Sequence, residues 1–237
     1  MTLYEIIAEG LRQEPIFKDF LFQKNGSEIK LKFNGGAFTL CMRRQVIDPD
    51  GSLKFYVAMR VLYKAPRNWV PKYCVRSPKD RQGDYLVGET LDIYAGKIHK
   101  VHNDVSLFAE EYRLFKADLI EFVKYFITNY SSLKKVFDNK IYPYMVGDIT
   151  WENRVYVEFC IEYLVICRIV SPENYARLKS VVLDEFKFFH NREELNYMRY
   201  HDKINDILEF IENTDYKAIM NKKGWTTDDV IPLDQFI

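Results

Sequence analysis

The sequence predicts an α+β fold: an N-terminal helix, then an antiparallel β-sheet arranged as a meander, then a C-terminal lobe made only of helices. Apolar residues recur at every second position between residues 28 and 63, and at spacings of three and four from residue 105 onward. The composition is 16% aromatic with only 10 Gly, which indicates large packed side chains rather than disorder. We therefore expect an α+β lobe over residues 1–103 and a helical lobe over residues 104–237, packed as one unit.

The first helix is predicted over residues 3–12. Its apolar residues fall at the helical spacing of three and four, and they are Leu3, Ile6, Ile7 and Leu11.

A three-stranded meander follows the helix. The sequence Asn-Gly-Gly at 34–36 predicts a tight hairpin, because Asn and Gly accept positive φ angles. The strands on either side, and the one after them, alternate apolar with other residues. The predicted apolar face contains Ile29, Leu31, Phe33, Phe38, Leu40, Met42, Leu53, Phe55, Val57, Met59, Val61 and Tyr63.

The stretch Asp-Pro-Asp-Gly-Ser at 48–52 could begin a calcium loop or form a turn. An EF-hand loop needs Gly at its sixth position and Glu at its twelfth. Counting from Asp48, those positions hold Leu53 and Met59, both on the apolar face of a predicted strand. Pro and Gly suit a turn between two strands, so a turn is predicted.

The remaining elements are less regular. Two further strands are predicted around residues 84–88 and 97–102. Four helices are predicted in the C-terminal lobe, over residues 105–128, 152–169, 172–189 and 191–213, with Ser171 and Asn191 as N-caps. The tail from Gly224 is predicted to be extended and to dock through Trp225 and Phe236.

Composition and motifs exclude several classes of protein. The first 17 residues form an amphipathic pattern with three Glu, which is typical of neither a signal peptide nor a membrane span. The four cysteines include no Cys-x-x-Cys pair, and this favours buried, reduced thiols in a cytoplasmic protein. No glycine-rich phosphate loop occurs, so no cofactor is predicted.

The stretch FKDFLFQKNGSEIKL, residues 17–31, lies between the first helix and the sheet, and Phe22 and Lys24 lead into the first strand. In this order of elements, about the first 130 residues resemble certain bacterial domains of unknown function. Some of those domains are similar to the immunity proteins of bacterial toxin systems. The resemblance implies a protein-binding role and supplies no catalytic residues.

The best candidate for a metal site is the group His99, His102 and Asp104, in the sequence His-Lys-Val-His-Asn-Asp. Imidazole and carboxylate groups are common metal ligands, and a turn near Gly96 would let both rings converge. The alternative is a pair of solvated loop histidines.

Paired carboxylates form a second candidate. Glu158 and Glu162 are four residues apart in a predicted helix, and Asp148 and Glu152 precede it. Such a pair can bind a metal or share a proton. The alternative, which we favour, is the solvated stripe of a mostly buried helix.

A basic and aromatic segment, residues 64–83, contains six Lys or Arg and one acidic residue. A mixture of cations and rings is typical of single-strand nucleic-acid binders, but the sequence pI of 6.9 disfavours nucleic acid. The predicted partner of the segment is an acidic protein, or the acidic lobe of a second copy; the alternative is that Trp69 packs over the edge of the sheet and the cations stay solvated. The candidate contact residues are Arg67, Trp69, Lys72, Tyr73 and Arg76.

The charge distribution is uneven, which can bring the two lobes together or steer a partner. Residues 1–103 hold 17 Lys or Arg and 11 Asp or Glu, a net of +6, whereas residues 104–237 hold 17 and 23, a net of −6. The leading prediction is a non-catalytic bacterial interaction module of the immunity-protein kind. The alternatives are a small enzyme with its site between the lobes near His99, His102 and the 158/162 glutamates, and a nucleic-acid binder.

Overall fold

A computed structural model of the protein describes residues 3–23, 26–47, 52–64, 87–102, 105–147, 157–190 and 203–237. The predicted α+β class is confirmed, because an N-terminal helix and an antiparallel sheet precede a helical region. The chain forms two compact units. Unit 1 comprises residues 1–62, 87–130 and 231–237, and unit 2 comprises residues 63–86 and 131–230. The predicted domain boundary near residue 103 stays a prediction.

The sheet contains six strands in the described part of the chain. These are β1 (Leu21–Phe22), β2 (Glu28–Phe33), β3 (Gly36–Ile47), β4 (Ser52–Tyr63), β5 (Val87–Thr90) and β6 (Lys100–His102). Their order is β1-β2-β3-β4-β5, and β6 also pairs with β4. Strand β5 pairs with residues 58–61 of β4 and β6 pairs with residues 52–54, both antiparallel, so they lie along the same edge of β4. The predicted meander is therefore β2-β3-β4.

The β2–β3 hairpin has the predicted turn. Phe33 pairs with Gly36, which leaves Asn34 and Gly35 as the two turn residues, and Gly35 has a φ of 94°. A positive φ favours glycine at this position. The other predicted turn, at residues 48–51, lies outside the described residues.

The core of unit 1 lies between one face of the sheet and its helices. The helices are α1 (Leu3–Arg12), α2 (Leu91–Ala95) and α3 (Val105–Tyr130). In α3 the buried residues recur at helical spacing, and the ring of Phe126 lies 6.3 Å from that of Phe38 on β3. The other buried residues of the two layers include Leu40, Met42, Val57, Met59, Val61, Phe115, Leu119, Phe122 and Val123.

Unit 2 is helical over its described residues. Its helices are α4 (Leu133–Val136), α5 (Tyr142–Val146), α6 (Val157–Val170), α7 (Tyr175–His190), α8 (Ile204–Asn213) and α9 (Tyr216–Lys223), with a π-helical segment, Phe137–Ile141, between α4 and α5. Helix α6 is central, since it contacts α7, α8 and α9. The helices predicted from residues 105, 152, 172 and 191 correspond to α3, α6, α7 and α8, whereas α4, α5 and α9 were not predicted.

The helix boundaries differ from the prediction at one described cap. Ser171 does not cap the backbone of the next helix, which begins as a 3-10 turn at Pro172–Asn174. Its hydroxyl donates to Glu173 and accepts from Asn174 Nδ2 at 2.8 Å. The other predicted cap, Asn191, lies outside the described residues.

The C-terminal tail returns to unit 1. Phe236 is buried, and its ring lies 6.5 Å from that of Phe20. Trp225 is half-buried in unit 2. Among the helices that the structure describes, none combines the length and the apolar character that crossing a membrane requires.

Candidate functional site

Two histidine–carboxylate pairs connect β6 with α3. His99 lies just before β6 and His102 ends it, whereas Glu111 and Asp118 lie two turns apart on α3. Residues seven apart share a helix face, so both carboxylates point to the same side of α3. The strand and the helix are in contact along this face.

Glu111 holds His102 at two points. Its Oε2 accepts a hydrogen bond from the backbone N–H of His102 at 2.7 Å, and its Oε1 lies 2.5 Å from the ring Nδ1. A carboxylate that binds both the backbone and the ring fixes the position of the imidazole relative to the strand. The pair therefore fastens the end of β6 to α3.

His99 is buried against the same helix. Its side chain is only 9% exposed, its Nε2 lies 3.2 Å from Asp118 Oδ2, and its ring centroid lies 5.5 Å from that of Phe115. Lys97 Nζ approaches the same carboxylate oxygen at 2.6 Å. Neither contact to this oxygen has the angles of a hydrogen bond within the described structure. The Lys97 contact is an ion pair, whereas the His99 contact is one only when the imidazole is protonated.

The protonation of His99 follows from this burial. Desolvation lowers its pKa below the ordinary 6.5, and Lys97 lowers it further, while the carboxylate of Asp118 opposes them. Burial outweighs the carboxylate because the charged imidazolium loses its hydration. The neutral ring is therefore the favoured form in the folded protein.

The predicted metal site gains no support from this geometry. The two histidines meet two different carboxylates, and the described residues contain no group of three or more His, Cys, Asp or Glu that could hold a metal ion. The third predicted ligand, Asp104, lies outside the described residues. The metal site stays a prediction, and the described contacts give both histidines a structural role.

The other predicted candidates are described only in part. Glu162 is half-buried on α6 between two buried neighbours, Ile161 and Tyr163. The side chain of Glu158 and the residues Asp148 and Glu152 lie outside the description. So do all five candidate contact residues of the basic segment, Arg67, Trp69, Lys72, Tyr73 and Arg76.

The described cysteines are buried thiols without a disulfide: Cys41, Cys160 and Cys167. Burial raises the pKa of Cys167 to about 12, and its Sγ donates to the carbonyl oxygen of Ser171 at 3.3 Å. A thiol with so high a pKa is not a nucleophile at neutral pH.

An exposed apolar surface lies on α2, α3 and the segment before β6, and we call it the α2–α3 surface. Its five side chains are Ile93 (79% exposed), Tyr94 (41%), Ile98 (61%), Leu114 (46%) and Tyr125 (39%). The Tyr94 ring lies 5.0 Å from the ring of Tyr125 and 5.3 Å from that of the buried Phe122. The two tyrosines are thus held in place by the core beneath them.

Ion pairs lie among these side chains, since Asp118 and Glu121 stand between Leu114 and Tyr125 along α3. Lys97 Nζ lies 2.6 Å from Asp118 Oδ2, and Lys124 Nζ lies 3.4 Å from Glu121 Oε1. Protein–protein interfaces combine apolar and aromatic side chains with polar and charged ones.

The sequence did not reveal the α2–α3 surface. Helix α2 has five residues, which is too short to show a helical period, so Ile93 and Tyr94 carried no signal of their location. Tyr125 lies in a helix whose apolar residues cover more than half of its circumference, and the pattern alone does not say which of them stay exposed.

Comparisons of the chain with protein-family models, curated proteins and solved structures found no match. The resemblance to bacterial domains of unknown function therefore stays a prediction.

Proposed function

We propose that the protein is a non-catalytic interaction module that binds a partner protein through the α2–α3 surface. The observation that carries this proposal is the grouping of five large apolar side chains, 39–79% exposed, on neighbouring elements of unit 1. Single exposed apolar residues are common in folded proteins, but several on neighbouring elements, two of them with rings 5.0 Å apart, are typical of a binding surface.

The dimensions and chemistry of the surface favour a protein as its ligand. Leu114 and Tyr125 are eleven residues apart on α3, which corresponds to ~16 Å along the helix axis. Tyr is enriched at protein interfaces because it offers a large rigid contact area and a polar tip. The flanking Lys97 and Lys124 are paired with carboxylates, whereas a membrane-binding face typically presents a cluster of cations.

The proposed partner is the one that the sequence predictions favour, a protein bound by an immunity-like module. An immunity-like role in a bacterial cytoplasm would supply a partner protein of this kind. Binding of an acidic partner by the basic segment at residues 64–83 is a separate prediction, which the α2–α3 surface does not address.

The test is a pair of variants with matched exposure. We expect Ile93→Glu combined with Ile98→Glu to remove a partner that co-purifies with the full-length protein from its own host, because two charges would be buried in the interface. Native mass spectrometry measures the complex. Ile237→Glu is the control, since Ile237 is 85% exposed and lies outside the surface.

Three outcomes are informative. A second polypeptide that the double variant reduces by at least about tenfold and the control retains supports the proposal. A complex of two identical chains, lost in the double variant, would replace the partner by a second copy. Retention of the partner by the double variant would refute the role of this surface.

A further inference from the structure

Unit 2 contains a cavity of about 810 Å³. It lies between the end of α6, the turn that joins α8 to α9, and the segment 225–227 that follows α9. Binding sites for small molecules typically have volumes of about 300–1,000 Å³, so this cavity has the size of a ligand site. It lies wholly within unit 2 and shares no residue with the α2–α3 surface.

Arg168 is the half-buried cation of the cavity. Its Nη2 donates to the carbonyl oxygen of Glu212 at 3.2 Å, and its guanidinium carbon lies 5.3 Å from the ring centroid of Tyr175. Its Nε is buried without a hydrogen-bond partner, and it forms no ion pair with any carboxylate that the structure describes. This guanidinium is therefore held by a carbonyl oxygen and an aromatic ring, with no described carboxylate at ion-pair distance.

The carboxylates at the cavity are engaged elsewhere. Glu212 Oε1 lies 2.6 Å from Lys179 Nζ, and Asp215 Oδ1 accepts a hydrogen bond from the backbone N–H of Ala218 at 2.9 Å. Lys217, exposed at the rim, forms no ion pair with a described carboxylate. The cavity therefore offers two cations, Arg168 and Lys217, to an incoming anion.

The rest of the lining includes a substantial apolar part. It is formed by aliphatic, thioether and aromatic side chains: Ile169, Pro172, Tyr216, Met220 and Trp225. An anion bound beside Arg168 would thus have an apolar and aromatic wall next to it.

We propose that this cavity binds a small organic carboxylate with an apolar or aromatic body, the carboxylate lying against the guanidinium of Arg168. Guanidinium and carboxylate form strong charge-assisted hydrogen bonds. A monoanion fits better than a phosphate dianion, because Glu212 and Asp215 bring two negative charges to the same lining. The apolar wall holds the body of the ligand.

The test uses 3-phenylpropionate as the probe, with the full-length protein and isothermal titration calorimetry. We expect saturable binding of the carboxylate and at least about tenfold weaker binding of the neutral 3-phenylpropionamide and of phenyl phosphate. Arg168→Met should weaken binding of 3-phenylpropionate by at least about tenfold. Lys217→Met should weaken it by a smaller factor, because Lys217 is exposed. Arg177→Met is the matched control, since Arg177 is exposed on α7 outside the cavity.

Two further measurements locate the bound probe and show whether the variants are folded. Trp225 lines the cavity, so 3-phenylpropionate should change tryptophan fluorescence in the native protein and not in Trp225→Phe. Thermal unfolding of Arg168→Met shows whether its loss of binding reflects loss of structure. If that variant does not fold, Lys217→Met and the neutral amide still test the charge requirement.

Several results would overturn the proposal. Binding of the amide as tight as that of the carboxylate would show that the cation has no role. Tighter binding of phenyl phosphate would replace the carboxylate by a phosphate. Absence of saturable binding by 3-phenylpropionate to the native protein would remove the site.

Discussion

In unit 1 the elements bury mainly one face, although Cys41 on β3 and Ala58 on β4 are also buried, whereas in unit 2 helix α6 is buried on nearly every side. On β3, Phe38 and Leu40 are buried while Thr39 between them is only partly covered. On α6, every residue from 160 to 167 is buried except Glu162. A one-sided pattern indicates which face of an element meets the core. All-round burial identifies a central helix and leaves the arrangement of its neighbours open.

The largest expected effects are on the two cores. Phe126→Ala in unit 1 should lower the free energy of unfolding by about 3–5 kcal/mol, and Leu164→Ala in unit 2 by about 2–5 kcal/mol. Phe126 is fully buried, and its ring lies 4.8 Å from that of Tyr130 and 6.3 Å from that of Phe38. Leu164 is fully buried on α6. Urea unfolding measures both.

Hydrogen exchange read by mass spectrometry sharpens the comparison. Phe126→Ala should weaken protection first in β3 and α3, and Leu164→Ala first in α6 and α7, because a cavity acts on the residues around it. Phe210→Ala, at a 40% exposed position, is the control and should cost less than about 1 kcal/mol. A loss below 1 kcal/mol for Leu164→Ala would contradict the central position of α6.

Two glycines resist substitution for different reasons, one for lack of space and the other for its backbone conformation. At Gly36 in unit 1, an added Cβ would lie 2.1 Å from the carbonyl oxygen of Leu62 and 2.4 Å from the ring of Phe33. At Gly224 in unit 2 nothing lies within 4 Å, but φ is +61°. Gly36→Ala should therefore cost more than ~3 kcal/mol, since backbone must move, and Gly224→Ala about 1–2 kcal/mol.

Substitution by Asn tests whether the backbone conformation limits position 224. Gly224→Asn should recover part of the loss, because Asn tolerates a left-handed conformation better than Ala. No residue larger than Gly should be tolerated at position 36. Equal losses for the two Ala variants in chemical denaturation would contradict this division.

The sequence identified the elements whose local pattern is strong. The meander was predictable because β2, β3 and β4 carry apolar residues at every second position and Asn34-Gly35 fixes the hairpin. Helix α9 was not, because it is polar overall and begins and ends through local contacts: the side chain of Asp215 caps its start and Gly224 ends it in a left-handed conformation. Such contacts leave little trace in hydrophobic periodicity.

The site residues show the same limit. The spacing of His99 and His102 suggested metal ligands, but the groups that face them in the described structure are Asp118 and Glu111 of the following helix. Their proximity depends on how α3 packs on β6, which a local pattern does not contain. The cavity of unit 2 that contains Arg168 combines residues from three separate segments, so the sequence pattern did not predict it either.

The free energy of unfolding of unit 1 should depend on pH through His99. The pKa of His99 is lowered in the folded state, so the unfolded chain binds more protons below about pH 6.5. Stability from this group is complete above that pH and falls as the pH drops toward the folded pKa. His99→Phe should flatten this part of the stability profile, measured by urea unfolding between pH 5 and pH 7.5.

Lys97 tests the electrostatic part of this effect. Lys97→Met removes a cation that lowers the pKa of His99, so the pKa in the folded protein should rise. Titration of the His99 ring by NMR measures this pKa in the native protein and in Lys97→Met. A pKa of His99 above 6.5 in the native protein would show that Asp118 outweighs burial and would reverse the predicted sign.

The smallest expected effects are at two helix caps. In unit 2, the hydroxyl oxygen of Ser132 accepts a hydrogen bond from the backbone N–H of Lys135 at 3.0 Å, whereas in unit 1 the Thr90 hydroxyl before α2 is buried without a partner in the described structure. Ser132→Ala should cost about 1 kcal/mol, because it leaves a helix N–H unsatisfied. Thr90→Val should change stability by less than about 0.5 kcal/mol or raise it, since it replaces an unsatisfied hydroxyl by a methyl group of similar shape. A loss of 1 kcal/mol in Thr90→Val, measured by thermal unfolding, would mean that this hydroxyl caps α2 after all.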